Sequence, residues 1–472
     1  MIRTRIAPSP TGQDIHIGNL YTAYINWAYA RKHNGQFIIR IEDTDRTRYV
    51  EGAVEKILKT IKAYGLDYDE SVDKPGKYGP YRQSERLEIY KKYAEELISK
   101  GKAYYCVCTK ERLDEVRKKM TAEKKIPKYD KHCLSIQDEV IKKVNNGEPY
   151  VIRLNVADHV DVSFEDAIRS NVTINTDNID DQVLIKSDGY PTYHMAVVID
   201  DHLMEISHVI RAEEWISSTP KHVLLYQAFG WKLPVFAHLP ILRNPDKSKL
   251  SKRKNPVWAS WYIEQGYLPE AILNYLALMG WSHPQEKEIF DREEFVKVFD
   301  LARVSPVGPA FDQVKLAWMN GQYIMKITNY ELRIKILSFY KEKKLPEDIV
   351  EKTIPLVKER MKKLSDYLPL CEFFFTKPEK YEISLKENTE LFKKIITTLE
   401  SVSDWKAGLI GQRMVELAQK EGVPNSKFFM ILRVAISGKK VTPPLNESME
   451  ILGKEECVSR IKSASFVKNT NS

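Results

Sequence analysis

The N-terminal part of the chain alternates between strand-like and helix-like hydrophobic patterns. Residues 3–7 predict a strand that passes through a Pro/Gly turn into a helix, and residues 37–41 predict a second strand. Residues 52–64 predict a second helix, because their apolar side chains share one face. This order predicts the opening of a nucleotide-binding parallel sheet. The apolar helix positions are Leu20, Ala23, Tyr24, Trp27 and Ala28, then Val54, Ile57, Leu58 and Ile61.

The later pattern predicts an interrupted sheet and a helical C-terminal region. Strand-like stretches return at residues 182–185 and 207–210, and a helix is predicted to begin near Thr219. The segment 82–186 is therefore interpreted as an insertion between two halves of one sheet. Beyond Trp318 the pattern is helical and rich in Lys, Glu and Leu. The predicted fold class is α/β followed by all-α domains.

Two short segments, far apart in sequence, have the composition of phosphate-binding sites. The turn at residues 8–12 leads to His16 and Gly18, which we place at the N-terminus of the first predicted helix. Unpaired N–H groups and the helix dipole favour a polyanion there, and a histidine can donate to phosphate oxygens. In Lys-Leu-Ser-Lys-Arg, Lys249 and Lys252 form a cationic clamp suited to pyrophosphate. The two segments together predict one nucleotide site.

Composition and charge narrow the possible domain organisation and binding partners of the chain only slightly. The 472 residues can form several cores, so we expect three or more domains. The 73 Lys and Arg against 65 Asp and Glu give a formal charge of +8, which permits nucleic-acid binding without requiring it. The chain lacks a signal-peptide pattern and any apolar run long enough to span a bilayer, so we expect no membrane partner and a cytoplasmic location.

Three of the five cysteines lie close in sequence and indicate a metal site. Cys106, Cys108 and Cys133 cluster, whereas Cys371 and Cys457 stand alone. An odd number in a cytosolic chain favours metal binding over disulfides. A tetrahedral thiolate site would take its fourth ligand from oxygen or nitrogen, and His132 is one candidate.

Longer motifs surround the two phosphate-binding segments and occur in order along most of the chain. On these motifs the sequence resembles the bacterial-type glutamyl-tRNA synthetases, which are class I aminoacyl-tRNA synthetases. It departs from many class I enzymes at Asn19, where a second His is common, and in Lys-Leu-Ser-Lys-Arg, where the consensus has Met and a final Ser. The motifs are Thr4-Arg-Ile-Ala-Pro-Ser-Pro-Thr-Gly12, Arg40-Ile-Glu-Asp-Thr-Asp45, Gly79-Pro-Tyr-Arg-Gln-Ser-Glu-Arg86, Ser187-Asp-Gly-Tyr-Pro-Thr-Tyr-His194, Ile210-Arg-Ala-Glu-Glu-Trp215 and Trp318-Met-Asn-Gly-Gln-Tyr323.

The resemblance implies a set of binding residues. A glutamate γ-carboxylate needs a fixed cation, and arginine supplies a planar two-donor fork. Glutamate binding is implied for Arg5, Ala7, Ser9, Glu42, Tyr193 and Arg211, with Glu42 against the α-ammonium group. Catalytic or ATP-binding roles are implied for His16, Gly18, Lys249 and Lys252, with Ile241 and Leu242 beside the adenine. Zinc ligation is implied for Cys106, Cys108, Cys133 and Tyr129, and the choice between Tyr129 and His132 stays open.

The resemblance also implies an activity and a domain order. ATP and Mg²⁺ would activate L-glutamate as glutamyl-adenylate, and the glutamyl group would pass to the 3′-terminal adenosine of tRNA(Glu). In this family the first step is expected to need bound tRNA, and we expect a monomer. The implied fold is a Rossmann-type class I synthetase domain with an inserted acceptor-binding domain. The expected segments are a first catalytic half (1–81), the insert (82–186), a second catalytic half (187–244), a stem-contact domain (245–322) and an all-helical anticodon-binding region (323–472).

Two basic regions are expected to contact tRNA. Arg360 aligns with a position that in some relatives checks the third anticodon base, which hints at restriction to tRNA(Glu); whether tRNA(Gln) is also charged stays open. The acceptor-end candidates are Lys110, Arg112, Arg117, Lys118, Lys119, Lys124, Lys125 and Lys128. The anticodon candidates are Lys358, Arg360, Lys362 and Lys363.

Three alternative interpretations come from related classes of protein. A glutaminyl-tRNA synthetase usually continues into β-barrels, which a helical C-terminal region disfavours. A glutamyl-queuosine tRNA modifying enzyme lacks the whole segment after Tyr323. An inactive paralogue acting as a tRNA-binding module is disfavoured by the intact His16, Lys252 and Arg211.

Overall fold

The computed structural model describes residues 1–248, 250 and 256–466. It divides into two compact units. The N-terminal unit comprises Met1–Ile263 and Ile272–Gln313, and the C-terminal unit comprises Glu264–Ala271 and Val314–Ser472. Within the described ranges, every helix is too short or too polar to cross a membrane.

The N-terminal unit begins with the predicted strand–helix–strand–helix. Its elements are β1 (Arg3–Ile6), α1 (Ile17–Lys32), β2 (Gln36–Ile39) and α2 (Ala53–Ala63). β1 and β2 pair in parallel, with Arg5 opposite Ile38. A parallel pair requires a crossover, which α1 supplies. The second strand ends two residues before the predicted end, and Ile41 makes only an isolated bridge to Arg82.

The inserted segment has a small sheet of its own. β3, β4 and β7 form an antiparallel sheet in the order β3-β4-β7. The interpretation of residues 182–185 as a return of the parallel sheet is therefore wrong, because β7 pairs with β4 of the insert. The elements are α3 (Leu87–Ser99), β3 (Ala103–Cys106), α4 (Lys110–Ala122), α5 (His132–Ser135), α6 (Gln137–Asn145), β4 (Val151–Leu154), β5 (Asp161–Asp166), β6 (Ser170–Asn175) and β7 (Val183–Ile185).

The second half of the parallel sheet carries a hairpin from the insert. β8 and β9 pair in parallel, and β5 continues the sheet beyond β9 in the order β6-β5-β9-β8. The amide of Ser207, just before β8, donates to the carbonyl of Arg3 in β1 at 3.0 Å, which sets the two halves side by side. The elements are α7 (Tyr193–Leu203), β8 (His208–Ala212), α8 (Thr219–Phe229) and β9 (Val235–Leu239).

The rest of the described chain is helical. The C-terminal unit has two apolar cores, one around Ile336 and Tyr367 and one around Phe392 and Phe428. From Val314 onward the described residues form helices and no strands, as the sequence predicted. The finer division into five segments stays a prediction. The helices are α9 (Ala259–Glu264), α10 (Pro269–Ala277), α11 (Arg292–Val298), α12 (Gln313–Lys326), α13 (Asn329–Phe339), α14 (Glu347–Val357), α15 (Tyr367–Phe375), α16 (Thr389–Glu400), α17 (Ala407–Lys420), α18 (Asn425–Ser437), α19 (Leu445–Leu452) and α20 (Lys454–Phe466).

Candidate active site

A cavity of about 670 Å³ opens where β1 and β8 end. Ligands of open parallel sheets bind outside the carboxyl ends of the strands, and this cavity has that position. The structure brings all six predicted glutamate-binding residues into its lining: Arg5, Ala7, Ser9, Glu42, Tyr193 and Arg211. Trp215 also lines it, and its ring stands 4.5 Å from the ring of Tyr193, which gives the cavity an aromatic wall.

Arg5 already has an acidic partner. Its Nε and Nη2 donate to the two carboxylate oxygens of Asp201 at 3.1 and 2.9 Å, and both side chains are buried. Burial lowers the pKa of Arg5, but the contacts with Asp201 outweigh that cost and leave the pKa raised. The positive charge of Arg5 is therefore largely neutralised within the protein.

Glu42 belongs to the same buried network. Arg40 donates to Glu42 at 3.1 Å and to Asp201 at 2.8 Å, and its Nε lies 3.6 Å from Asp200. Burial raises the pKa of Glu42 to about 7, although Arg40 and Arg5 oppose the shift. Glu42 therefore changes between its neutral and charged forms near neutral pH.

Sequence reasoning missed the acidic pair Asp200 and Asp201 of α7. Asp200 is fully buried and accepts hydrogen bonds from Gln83, Arg86 and Tyr90. The two carboxylates thus fix β1, Arg40 just after β2, and α3 against α7. Two adjacent aspartates at the end of the apolar run of α7 are a signal that could have identified them, because charges are rarely buried without partners.

Arg211 has a different environment from Arg5. Arg211 is 5% exposed. The side chains that accept hydrogen bonds from its guanidinium are all neutral. Nε donates to Nε2 of His238 at 3.1 Å, and Nη2 donates to the hydroxyl of Thr219 at 2.8 Å. Nη1 reaches Nδ1 of His222 at 3.2 Å and the hydroxyl of Tyr193 at 3.4 Å. Burial lowers the pKa of Arg211 from its ordinary value.

The first phosphate-binding segment has the geometry of a capped helix N-terminus. His16 is the N-cap of α1, and its Nδ1 accepts a hydrogen bond from the amide of Gly18 at 3.0 Å. An accepting Nδ1 places the proton of the neutral ring on Nε2. A β-carbon at Gly18 would lie 3.2 Å from Nδ1, so a larger residue would crowd the cap. Asn19 lines the cavity one residue later.

The second phosphate-binding segment is only partly described. Lys249 and Lys252 lie outside the described residues. Nearby, the amide of Ile241 donates to Glu213 at 3.2 Å, and the carbonyl of buried Leu242 accepts from the amide of Leu250 at 3.5 Å.

The three clustered cysteines meet in the insert. The Sγ atoms of Cys106, Cys108 and Cys133 all lie within 4.8 Å of one another. The hydroxyl of Tyr129 lies 3.5 Å from Sγ of Cys106 and 3.3 Å from Sγ of Cys108. His132 is exposed, and its ring is not part of this group. The geometry therefore brings Tyr129, not His132, to the cysteines.

The basic residues expected to contact tRNA lie mostly on exposed surface. α4 buries none of its residues, and Arg112 pairs with Asp130 at 2.6 Å. In the C-terminal unit, Lys358 donates to the carbonyl of Ile327 at 2.5 Å, and Arg360 donates to the carbonyl of Thr442 at 2.7 Å.

Comparison with known proteins identifies the family of the chain. Residues 1–318 match the family model described as tRNA synthetases class I (E and Q), catalytic domain, and residues 321–465 match that of the anticodon binding domain. The glutamate–tRNA ligase of Acidothermus cellulolyticus is 44% identical over 99% of this chain and 96% of its own. That of Thermus thermophilus is 44% identical over 98% of this chain and 100% of its own.

A solved structure gives the same result for the fold. The crystal structure of a glutamate tRNA ligase from Elizabethkingia meningosepticum, in complex with its amino acid, has a TM-score of 0.88 and 37% identity. The match covers 98% of this chain and 99% of that one. The predicted fold class and family are thereby confirmed. The chain belongs to the class I aminoacyl-tRNA synthetases and, within them, to the glutamate–tRNA ligases.

Proposed function

We propose that this ligase activates L-glutamate with ATP and transfers the glutamyl group to the 3′-terminal adenosine of tRNA(Glu). The observation that carries the assignment of residues is the shared cavity, because six residues from four separate stretches of sequence line it together. Such a cavity, with convergent polar groups and a titratable residue of raised pKa, is the form that a substrate site takes.

The amino acid would be held at both of its charged ends. Arg211 is the proposed partner of the γ-carboxylate, since its neighbours leave its charge without an acidic partner. Glu42, in its ionised form, is the proposed partner of the α-ammonium group. A site built around a buried cation rejects glutamine, because the neutral amide would leave that cation unpaired.

Activation requires positioning and charge stabilisation more than a protein nucleophile. In the proposed reaction, a glutamate α-carboxylate oxygen attacks the α-phosphorus of ATP and pyrophosphate leaves. Nε2–H of His16 and the N-terminus of α1 would donate to phosphate oxygens, and Ile241 and Leu242 would lie beside the adenine. Lys249 and Lys252 keep their proposed role as the pyrophosphate clamp. Mg²⁺ supplies charge neutralisation on the phosphates when bound; acidic side chains that suit it, including Asp45 and Glu214, line the cavity.

The insert is proposed to hold a structural zinc ion. Sulfur ligands of a tetrahedral zinc lie about 3.8 Å apart, a spacing that the grouping of Cys106, Cys108 and Cys133 within 4.8 Å suits. Tyr129 would supply the fourth ligand through its hydroxyl. Four protein ligands leave no open position for substrate, so the ion would tie α5 and β3 together.

A charging assay tests the proposal as a whole. Purified enzyme, ATP and Mg²⁺ would be combined with labelled glutamate or glutamine and with tRNA(Glu) or tRNA(Gln) in separate reactions. Glutamate on tRNA(Glu) is the expected product. Glutamate on tRNA(Gln) as well would keep the mechanism and overturn the restriction suggested by Arg360, whereas transfer of glutamine would contradict the role of Arg211.

A further inference from the structure

Arg211 is a buried guanidinium surrounded by neutral acceptors. Two imidazoles, one hydroxyl and one phenol receive its N–H groups, as described above. Among the described residues, no carboxylate forms an ion pair with it. A buried charge is usually paired, so this arrangement is unusual.

The hydrogen bonds around Arg211 fix the proton positions of two histidines. Arginine has no acceptor, so Nε2 of His238 and Nδ1 of His222 must both be unprotonated where they face it. The opposite nitrogens then carry the protons. Nδ1–H of His238 donates to Asp166 at 2.5 Å, and Nε2–H of His222 donates to Nδ1 of His194 at 2.9 Å.

Asp166 fixes the tautomer of His238 from the far side. It is the last residue of β5, and its Oδ1 accepts from the amides of Ile168, Arg169 and His238, which leaves Oδ2 for the imidazole. The carboxylate is thus held in place by the turn of the inserted hairpin. It supplies a negative charge that the imidazole ring separates from Arg211.

The contrast with Arg5 shows what the histidines achieve. Asp201 neutralises Arg5 through two direct hydrogen bonds. At Arg211, Nε faces the imidazole of His238, Nη2 faces the hydroxyl of Thr219 and Nη1 faces the imidazole of His222, so the guanidinium is oriented without being neutralised. A ligand carboxylate would therefore gain more binding energy from Arg211 than from Arg5, because a cation without an acidic partner attracts an anion more strongly.

We propose that His222 and His238, with Asp166 behind His238, are positioning residues that orient Arg211 without placing a carboxylate in contact with it, and that they thereby determine the preference for glutamate over glutamine. This inference rests on the proposed role of Arg211 as the partner of the γ-carboxylate. The histidines act through Arg211 and need no contact with the substrate.

Two variants of His222 differ only in charge and separate this role from a packing role. In His222→Asn the amide oxygen can occupy the position of Nδ1 and accept from Arg211, whereas His222→Asp places a carboxylate there. The two side chains have nearly the same size, so both variants leave the same space. Each would be assayed for kcat and KM with glutamate and with glutamine in tRNA-dependent ATP–pyrophosphate exchange, after thermal unfolding has shown that it is folded.

The charge of the substituent should decide the outcome. His222→Asn is expected to keep the ratio of kcat/KM for glutamate to that for glutamine within about threefold of the parent. His222→Asp is expected to raise KM for glutamate about 100-fold, with a smaller change in kcat, and to reduce that ratio accordingly. Equal impairment of the two variants would show a packing role only and would overturn the inference.

A third variant separates failure of the inference from failure of the proposed function. Arg211→Gln tests the role of Arg211 directly. If it loses glutamate preference while the two His222 variants behave alike, the proposed function stands and the inference is wrong. If Arg211→Gln retains glutamate preference, the assignment of Arg211 fails, and the inference fails with it.

Discussion

The carboxylate of Asp201 binds the guanidinium of Arg5 through two parallel hydrogen bonds of 3.1 and 2.9 Å, and both side chains are buried. Asp201 also accepts from Arg40 at 2.8 Å, so one carboxylate orders two arginines beneath the cavity. This network distinguishes the two arginines of the cavity by their partners. Arg5 is paired with a carboxylate, whereas the groups that accept from Arg211 are neutral.

Asp201→Asn should destabilise the protein strongly. Removing one member of a buried ion pair leaves uncompensated charge, here on Arg5 and Arg40, at a cost of about 3–5 kcal/mol in unfolding free energy. Urea unfolding would measure it. Asp67→Asn is the matched control, because Asp67 pairs with Arg31 at 2.9 Å but is 71% exposed. Asp67→Asn should lower the unfolding free energy by less than about 1 kcal/mol. Equal costs would contradict the buried network.

Glu42 should make stability depend on pH in a defined direction. Its pKa is about 7 in the folded protein against an ordinary 4.5, so between these values the folded state binds more protons at Glu42 than the unfolded chain does. Stability contributed by Glu42 therefore decreases as pH rises from about 4.5 to 7, by about 3 kcal/mol in total. The measurement is the difference in unfolding free energy between the parent and Glu42→Gln at several pH values. A difference that is constant over this range would contradict the shift.

Asp166→Asn should disturb Arg211 without touching the cavity. Because backbone amides hold Oδ1, the new NH₂ group would face Nδ1 of His238 and donate to it. The imidazole proton would then move to Nε2. There it would face Nε–H of Arg211, so that two donors would point at each other. KM for glutamate should rise by about 10-fold or more, as expected when a donor of a charged group loses its acceptor. Asp161→Asn, at the exposed start of the same strand, is the control and should leave KM near that of the parent.

The cysteine group should retain zinc through purification. Elemental analysis of the native chain is expected to give about one zinc ion per chain. Cys133→Ser should abolish retention, Tyr129→Phe should weaken it, and His132→Ala should not change it, because His132 is exposed and outside the group. Cys371→Ser controls for loss of a buried cysteine elsewhere. Loss of zinc in His132→Ala with retention in Tyr129→Phe would reverse the ligand assignment.

Much of this site was predictable from sequence because motifs carry local geometry. The turn at residues 8–12 and the apolar spacing of α1 determine where Gly18 and Ser9 lie. The six residues to which the resemblance assigns glutamate binding line one cavity, and their roles stay predictions. The prediction that the parallel sheet returns at residues 182–185 was wrong, because the sequence of a short apolar strand does not indicate which strand it pairs with.

What the sequence did not predict depends on long-range contacts. Asp201 meets Arg5, and Asp166 meets His238, across large separations in the chain. No local pattern marks an aspartate as the partner of a distant histidine. The hairpin β5–β6 likewise joins the sheet through β9, and only the folded structure identifies that pairing.

The most direct measurement is the steady-state kinetics of Arg211→Gln with glutamate and with glutamine, in the presence of tRNA(Glu), after its fold has been verified by thermal unfolding. The account predicts a loss of about 10³-fold or more in kcat/KM for glutamate and less than about 10-fold for glutamine, because only glutamate presents a carboxylate to the buried cation. An equal loss for both amino acids, or no loss for glutamate, would contradict it.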